Sequence, residues 1–495
     1  MTISEERATV FASLSPATGA VVGEHPVCDE EAVRAAVERA RPAGVWWAGL
    51  GWRERERRLL AWKSAVVRRL EELGELVRAE TGKPFDEAML ESILGVEHLN
   101  WAARNARRVL RARRVRTGLA TVNQAASVEY QPLGVVGVIG PWNYPVFTPC
   151  GSIGYALAAG NAVVFKPSEY TPGVGALLVR AFAEVVPEHP VLQVVTGFGA
   201  TGAALCRAGV DKIAFTGSTA TAKRVLAQCA DTLTPVVAEC GGKDALIVAA
   251  DADVRAAASA AVWGAMVNGG QSCVGVERVY AVREVYQEFL GQVAELCRGL
   301  RVGDGAEAHY GPITMPGQID VIAGHIEDAL RRGGRAVVGG AESVRAPYVD
   351  PVVLTGVPED STAMTEETFG PVLVVNEVRD VDEAVRRANG SRYGLGSAVF
   401  SGDRAASMRI ARRLRTGATS VNSVVSFAAV PALPFGGTAD SGFGRVHGAD
   451  GLREFSRAKS ITRQRFAIPL NLTSFQRTPR DMRVALRMVR FLHGR

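Results

Sequence analysis

The sequence predicts an α/β protein whose parallel sheets are organised as two lobes. Three observations predict it. Short apolar runs bounded by glycine recur from residue 134 onward. Segments with helical spacing separate these runs. A second set of the same kind begins after Gly242. Strands alternating with helices build parallel sheets with helices on both faces, and strands buried on both sides read as unbroken apolar runs. A chain of 495 residues is long enough for several domains or two large lobes.

The elements follow in chain order. Ser15-Pro-Ala-Thr-Gly19 is a turn. Residues 30–41 and 54–73 carry apolar side chains at helical spacing, the second with Leu59, Leu60, Trp62, Val66, Val67 and Leu70. Thr81-Gly-Lys-Pro84 breaks that helix, and 85–112 is helical again. Residues 115–131 alternate and hold β-branched side chains, which predicts a strand pair. Strands are then expected at 134–140, 162–166, 193–196, 212–216 and 234–238, with helices near 147–159, 173–186, 200–207 and 219–230. The second set places strands at 245–248, 278–281, 336–338, 352–354, 372–375 and 398–400. Its helices lie at 253–268, 284–300, 317–333, 381–388 and 403–414.

Bulk properties exclude several classes. Hydrophobic content is 47% and charged content 22%, ordinary for a globular protein. The net charge of +6 is mild for this length, its arginines are scattered through helices, and no nucleic-acid motif is present, so a solvated surface is expected. Seven cysteines, at 28, 150, 206, 229, 240, 273 and 297, form no CxxC pair. Free thiols in a reducing cytoplasm are the expectation. The seven histidines are dispersed without metal-ligand spacing, so no metal site is expected. The opening Met-Thr-Ile-Ser-Glu-Glu-Arg is polar and leads into no secretory apolar region. No run reaches the ~18 apolar residues of a membrane span.

The most informative pair is Cys273, in Gly-Gly-Gln-Ser-Cys-Val, and Glu239, 34 residues earlier in Glu-Cys-Gly-Gly-Lys. A cysteine on a glycine-permitted turn can present its sulfur to a substrate. A carboxylate can then activate water against the captured acyl group. Taken alone, a free cysteine is most often a small buried hydrophobe. The other six lack both the glycine approach and the partner motifs. Gly241-Gly242 after Glu239 points to close approach by a cofactor or the cysteine loop. Asn143, between Pro141 and Pro145, supplies a side-chain amide able to hold an oxyanion.

Read in order, Pro-Trp-Asn-Tyr-Pro (141–145), Lys166-Pro-Ser-Glu169, Phe215-Thr-Gly-Ser218, Glu239-Cys-Gly-Gly-Lys243, Gly270-Gln-Ser-Cys273, Glu367-Thr-Phe-Gly-Pro371 and Pro434-Phe-Gly-Gly437 resemble the aldehyde dehydrogenase superfamily. The resemblance runs from about Phe11 to about Thr462, and the joint order of the motifs is specific. It implies two Rossmann-like lobes and a small β oligomerisation arm. The implied division is residues 1–114 and 133–241 for NAD(P) binding, 242–440 for catalysis, 115–132 and 455–466 for the arm, and 467–495 as a tail.

It also implies roles. Cys273 is the nucleophile, Glu239 the base, and Asn143, with the Cys273 amide, the oxyanion holder. Ile139, Pro141 and Trp142 wall the nicotinamide–pyrophosphate channel, Lys166, Ser168 and Glu169 serve the adenosine ribose, and Gly217 and Ser218 begin the pyrophosphate turn. Glu367 and Phe369 hold the nicotinamide riboside. Glu169 favours NAD over NADP, although Lys166 could accept a 2′-phosphate. Coenzyme A-acylating relatives lack a carboxylate where Glu239 stands, so hydrolysis is implied.

The chain departs from the family pattern at Cys240, where relatives usually carry Leu, and at two further places. Ala222 replaces the second glycine of the pyrophosphate motif, and Thr438-Ala439-Asp440 replaces an aromatic residue and lysine near the expected substrate mouth. Tyr144, Trp263, Val274 and 424–433 are the candidate tunnel residues. They are mostly apolar and bring no arginine pair, which favours an uncharged aliphatic or aromatic aldehyde, with succinate semialdehyde as the alternative and a non-catalytic structural homologue as the reading from another class. A homodimer or homotetramer is implied, with no nucleic-acid partner.

Beyond Thr462, Arg480, Arg483, Arg487 and Arg490 recur opposite Met482, Leu486, Val489 and Leu492, as in a basic amphipathic helix. Such a helix suits a membrane surface or packing on its own subunit or a neighbour. The packing role is the expected one.

Overall fold

The computed structural model describes residues 9–468, 470 and 472–494. The polar opening segment, at 1–8, and three tail positions lie outside the described residues. The chain divides into two compact units: the part up to Val109 with Pro132–Ser456, and Leu110–Gln131 with Arg457–Arg495.

The first unit contains both large sheets. Five parallel strands come first: β1 (Val135–Ile139), β2 (Ala162–Lys166), β3 (Leu192–Val194), β4 (Lys212–Thr216) and β5 (Val236–Glu239). Their order is β5-β4-β1-β2-β3, and the short strand Gly442–Phe443 closes the β5 edge antiparallel. The direction of winding reverses between β1 and β4. In an open α/β sheet that switch point opens a crevice at the carboxyl ends of the strands, where ligands bind.

The second sheet has seven strands: β6 (Asp244–Val248), β7 (Val276–Val282), β8 (Arg335–Val338), β9 (Val352–Thr355), β10 (Val372–Val378), β11 (Ser397–Phe400) and β12 (Ser420–Val421). Their order is β8-β9-β10-β7-β6-β11-β12, all parallel except the β8–β9 edge. Leu246, Ile247, Val279, Leu373 and Val375 are sealed in its core, which accounts for apolar runs without alternation.

Two helical readings are corrected. The helix expected to end at Arg41 runs from Glu30 to Gly49 through Pro42. Burial of Ala43, Gly44 and Trp47 on one face, with the Trp47 indole donating to the Leu157 carbonyl at 2.8 Å, outweighs the proline penalty. The single helix expected over 54–73 is two, Gly51–Val67 and Leu70–Thr81. The long helix α1 (Phe85–Leu110) follows. Farther on, α2 (Thr219–Ala230) is capped by Ser218, whose hydroxyl accepts the Thr221 N–H.

The second unit is a three-stranded sheet, Arg113–Val115 against Gln124–Pro132 against Ser456–Gln464, followed by α3 (Pro479–His493). Thr478 and Asp481 form a reciprocal cap at the start of α3. No side chain of α3 is buried.

Candidate active site

A cavity of ≈ 1350 Å³ opens at the switch point. Pockets for drug-sized ligands measure ~300–1,000 Å³, so this one has room for a dinucleotide and a second molecule. Ile139, Pro141, Trp142, Lys166, Ser168, Glu169, Gly217, Ser218, Glu367 and Phe369 line it, as do Asn143, Glu239 and Cys273. The residues singled out in sequence, spread over more than two hundred positions, meet around one space.

Cys273 sits in the loop between the 3-10 turn Val267–Gly270 and β7. Asn268, Gly269 and Gly270 take left-handed backbone angles of φ 55°, 62° and 72°. Gly270 is required twice over: its φ disfavours a side chain, and a Cβ there would lie 2.1 Å from the Gly370 carbonyl oxygen. The cysteine is half-buried. Desolvation raises its thiol pKa, and the carboxylates of Glu367, Asp244 and Glu239 raise it further.

Asn143 follows β1 in the loop that begins the crevice. Its side-chain amide donates to the Gln271 carbonyl at 2.9 Å. Its own carbonyl accepts from Lys83 Nζ at 2.7 Å and from Asn268 Nδ2 at 3.1 Å. Lys83 is paired with Glu91 at 2.8 Å, both fully buried. Glu91 also accepts the N–H groups of Val146 and Phe147. This buried pair ties α1 to the Asn143 loop. On the next turn of α1, Glu87 accepts the Asn268 N–H, tying the same helix to the cysteine loop.

Glu239 ends β5. It is 5% exposed, and neither carboxylate oxygen has a hydrogen-bond partner. Desolvation holds its pKa well above the usual carboxylate range, against a smaller opposing pull from Arg445. An unpartnered buried carboxylate is costly, and such atoms cluster where a ligand, water or reaction completes them.

Gly241 and Gly242 are approached from two sides. A Cβ on Gly241 would fall on the Glu367 carboxylate, and one on Gly242 would lie 2.7 Å from the Cys273 carbonyl oxygen. Glu367 accepts the Gly242 N–H at 3.0 Å, and burial raises its pKa to about 8. Its loop is fixed by Glu277 on β7, which accepts the N–H groups of Thr368 and Phe369 and pairs with buried Lys243. The Phe369 ring then stands edge-on to Trp142, centroids 5.5 Å apart.

The far end of the cavity suits an adenosine group. Lys166 Nζ contacts Glu169 at 3.2 Å. Burial lowers the Lys166 pKa, and Glu169 pulls it back up. Gly217 and Ser218 lead into α2, whose free N–H groups favour anionic phosphates. Ala222 is buried inside α2 and does not line the cavity, so its methyl leaves the approach clear. The residues present fit a nicotinamide dinucleotide.

Other positions differ from the sequence reading. Of the tunnel candidates, Tyr144, Trp263, Val274, Val424, Val425, Ser426, Ala428 and Ala429 line the cavity, whereas Phe427 and 430–433 do not. Thr438–Asp440 does not line it either. That segment pairs with Tyr393 and Gly394, and the Asp440 carbonyl accepts from Thr219 at the start of α2. It stands beside the start of α2. The sequence reading missed Glu87, Leu90, Glu91 and Leu94 of α1, whose three- and four-residue spacing puts them on one face. It also missed Lys83, Glu277 and the neutral His447, whose pKa burial and His98 hold well below normal. Among the described residues no cluster could hold a metal ion.

Fold and cavity together define a dinucleotide-binding α/β protein with a thiol, a carboxylate and an amide at one site. The sequence profile of the aldehyde dehydrogenase family matches residues 2–461. The chain is 39% identical over 463 residues to 4,4'-diapolycopene aldehyde oxidase of a Methylomonas species, covering 93% of this chain and 87% of that protein. It is 33% identical over 453 residues, 90% of this chain and 87% of the other, to a Mycobacterium ulcerans protein provisionally named a succinate-semialdehyde dehydrogenase (NADP+). The crystal structure of PnpE from Pseudomonas sp. WBC-3 with nicotinamide adenine dinucleotide matches with a TM-score of 0.88 at 31% identity, covering 94% of this chain and 96% of that one. The chain belongs to the aldehyde dehydrogenase family: it is an oxidoreductase that oxidises an aldehyde with NAD or NADP.

Proposed function

We propose that this enzyme converts an uncharged aldehyde to its carboxylic acid by covalent capture on Cys273 and hydrolysis assisted by Glu239. The observation that carries this reading is the unpartnered Glu239 carboxylate in the same cavity as the Cys273 thiol.

Cys273 adds to the aldehyde carbon as the thiolate, its proton having passed to solvent, and Glu239 stays deprotonated for the later hydrolysis. The resulting oxyanion is held by the second N–H of the Asn143 amide and by the Cys273 backbone N–H. The first Asn143 N–H is spent on Gln271, which fixes the direction of the second. The nicotinamide ring, when bound, supplies positive charge near the thiol and accepts the hydride. Glu239 then takes a proton from water, which attacks the thioester and releases the acid and the Cys273 thiol.

Ile139, Pro141 and Trp142 flank the cofactor, Ser168 and Glu169 receive the adenosine ribose, and Glu367 and Phe369 hold the nicotinamide riboside. Glu169 repels a 2′-phosphate and neutralises Lys166, which supports NAD as the preferred form.

The lining contributed by α1, the Asn143 loop and 424–447 is apolar apart from groups already satisfied. Its one cation, Lys83, is bound to Glu91 and the Asn143 carbonyl. No free cation there awaits a distal carboxylate, which supports an uncharged substrate, as does the relative named for 4,4'-diapolycopene aldehyde. The relative named for succinate semialdehyde supports the alternative. A panel of aldehydes with NAD and NADP, read as reduced-cofactor absorbance, tests both. Turnover of succinate semialdehyde above that of uncharged aldehydes would reverse the substrate reading, and full turnover by Cys273→Ala would remove the nucleophile.

The three-stranded sheet is proposed as the arm that joins subunits into a dimer or tetramer. Its edge strand, Ser456–Gln464, is largely exposed, and an open edge is a template for pairing. Seven free cysteines among the described residues agree with a cytoplasmic setting. Light scattering and cell fractionation test these two points.

A further inference from the structure

The charge of this chain is divided unevenly. Leu110–Gln131 with Arg457–Arg495 carries fourteen Lys and Arg against two acids, Glu129 and Asp481. That is +12 in a chain whose total is +6, which leaves −6 for the rest. Most arginines are scattered, as expected, but the net positive charge resides in the smaller unit.

Within it, α3 is sharply divided. At 3.6 residues per turn, Arg490, Arg483, Arg487 and Arg480 fall in one stripe about 80° wide. Phe491, Val484, Met488, Leu492, Val489 and Leu486 occupy the remaining arc. Phe491 is 83% exposed, Leu486 50% and Val489 49%, and Phe475, just before the helix, is fully exposed. Side chains of this size left in water on one helix mark a docking face.

The two faces together select the occupant. Nucleic acid would answer the arginine stripe and leave the wider apolar arc in water. A second copy of the helix would cover the apolar arc and leave the arginine stripe, on the opposite side, facing water. An anionic bilayer answers both, with phosphates for the stripe and acyl chains for the arc. Fifteen residues rise about 22 Å, short of the ~30 Å hydrocarbon layer. No described helix is long and apolar enough to cross a membrane. The helix therefore lies in the plane of the surface.

We propose that α3 is an in-plane anchor that seats the enzyme on an anionic phospholipid surface. The attachment does not depend on which aldehyde is oxidised.

The test is co-sedimentation of the full chain with vesicles of phosphatidylcholine alone or mixed equally with phosphatidylglycerol. The comparison proteins are Arg480→Gln/Arg483→Gln/Arg487→Gln/Arg490→Gln and Leu486→Gln/Val489→Gln/Phe491→Gln, with aldehyde turnover in solution confirming that each is folded. The expected result is binding to anionic vesicles only, weakened at least ~tenfold in both variants. Absence of wild-type binding to anionic vesicles overturns the proposal. So does undiminished binding by the apolar variant, which would mean electrostatic attraction without insertion. A change of mass in light scattering with no vesicle binding would assign the face to a second copy instead.

Discussion

The side-chain amide of Asn143 donates to the backbone carbonyl of Gln271 at 2.9 Å, two residues before Cys273. The proposed oxyanion donor and the proposed nucleophile loop are thus joined by this side-chain bond, beside a second one from Asn268 Nδ2 to the Asn143 carbonyl at 3.1 Å. Asn143→Ala removes the proposed donor and the side-chain tether and leaves the backbone one. We expect kcat/KM to fall ~10²–10³-fold, the loss typical of one oxyanion-hole donor, with most of it in kcat. Steady-state kinetics across aldehyde concentration checks this.

Glu239→Gln should separate capture from release. The first turnover should still reduce one equivalent of cofactor per site, and the steady state should collapse as the acyl group accumulates on Cys273. Stopped-flow absorbance shows the burst, and intact-protein mass shows the adduct. Loss of the burst together with turnover would place Glu239 before hydride transfer.

Both Cys273 and Glu239 have raised pKa values, and both act deprotonated. Turnover should therefore increase with pH on the neutral-to-alkaline side. In Glu239→Gln the single-turnover rate should keep only the limb that belongs to the thiol. A flat profile from about pH 6 to 9, the span that brackets the ordinary thiol pKa of about 8.5, would contradict these raised values.

Lys83 and Glu91 form a pair whose side chains are 1% and 0% exposed. Lys83→Met strands a buried carboxylate and should cost ~3–5 kcal/mol in urea unfolding, with activity lost as the Asn143 loop loosens. The double variant Lys83→Met/Glu91→Leu should recover part of the stability, because no charge is left unpaired, but not the activity.

Asp244 accepts the Gly396 N–H in full burial, and its pKa is raised from 3.8 to about 7. The folded state keeps this proton longer than the unfolded chain. Its contribution is fully present below 3.8 and is lost as pH rises through about 7. Asp244→Asn should flatten the pH dependence of Tm across that window, measured by calorimetry.

Some of this protein could be read without coordinates. Apolar runs separated by helical spacing identify parallel strands, since a strand buried on both faces has no polar side to alternate. The motifs around Asn143, Glu239 and Cys273 stood out because catalysis demands residue types, and the glycines beside them mark backbone that must pass close to another chain segment. Lys83, Glu87, Glu91 and Glu277 could not be found this way. A lysine or glutamate on a helix or strand looks like a solvated charge until a distant partner desolvates it.

Local sequence thus determined the strands, most of the helices and the residue types proposed to react, because each depends on near neighbours and side-chain chemistry. Tertiary structure alone decided which charges are buried in pairs, that Glu239 is left without a partner, and that no side chain of α3 is buried within the described chain. Burial is a property of the packed chain, and the same carboxylate or phenyl ring is ordinary or costly according to what the fold brings against it.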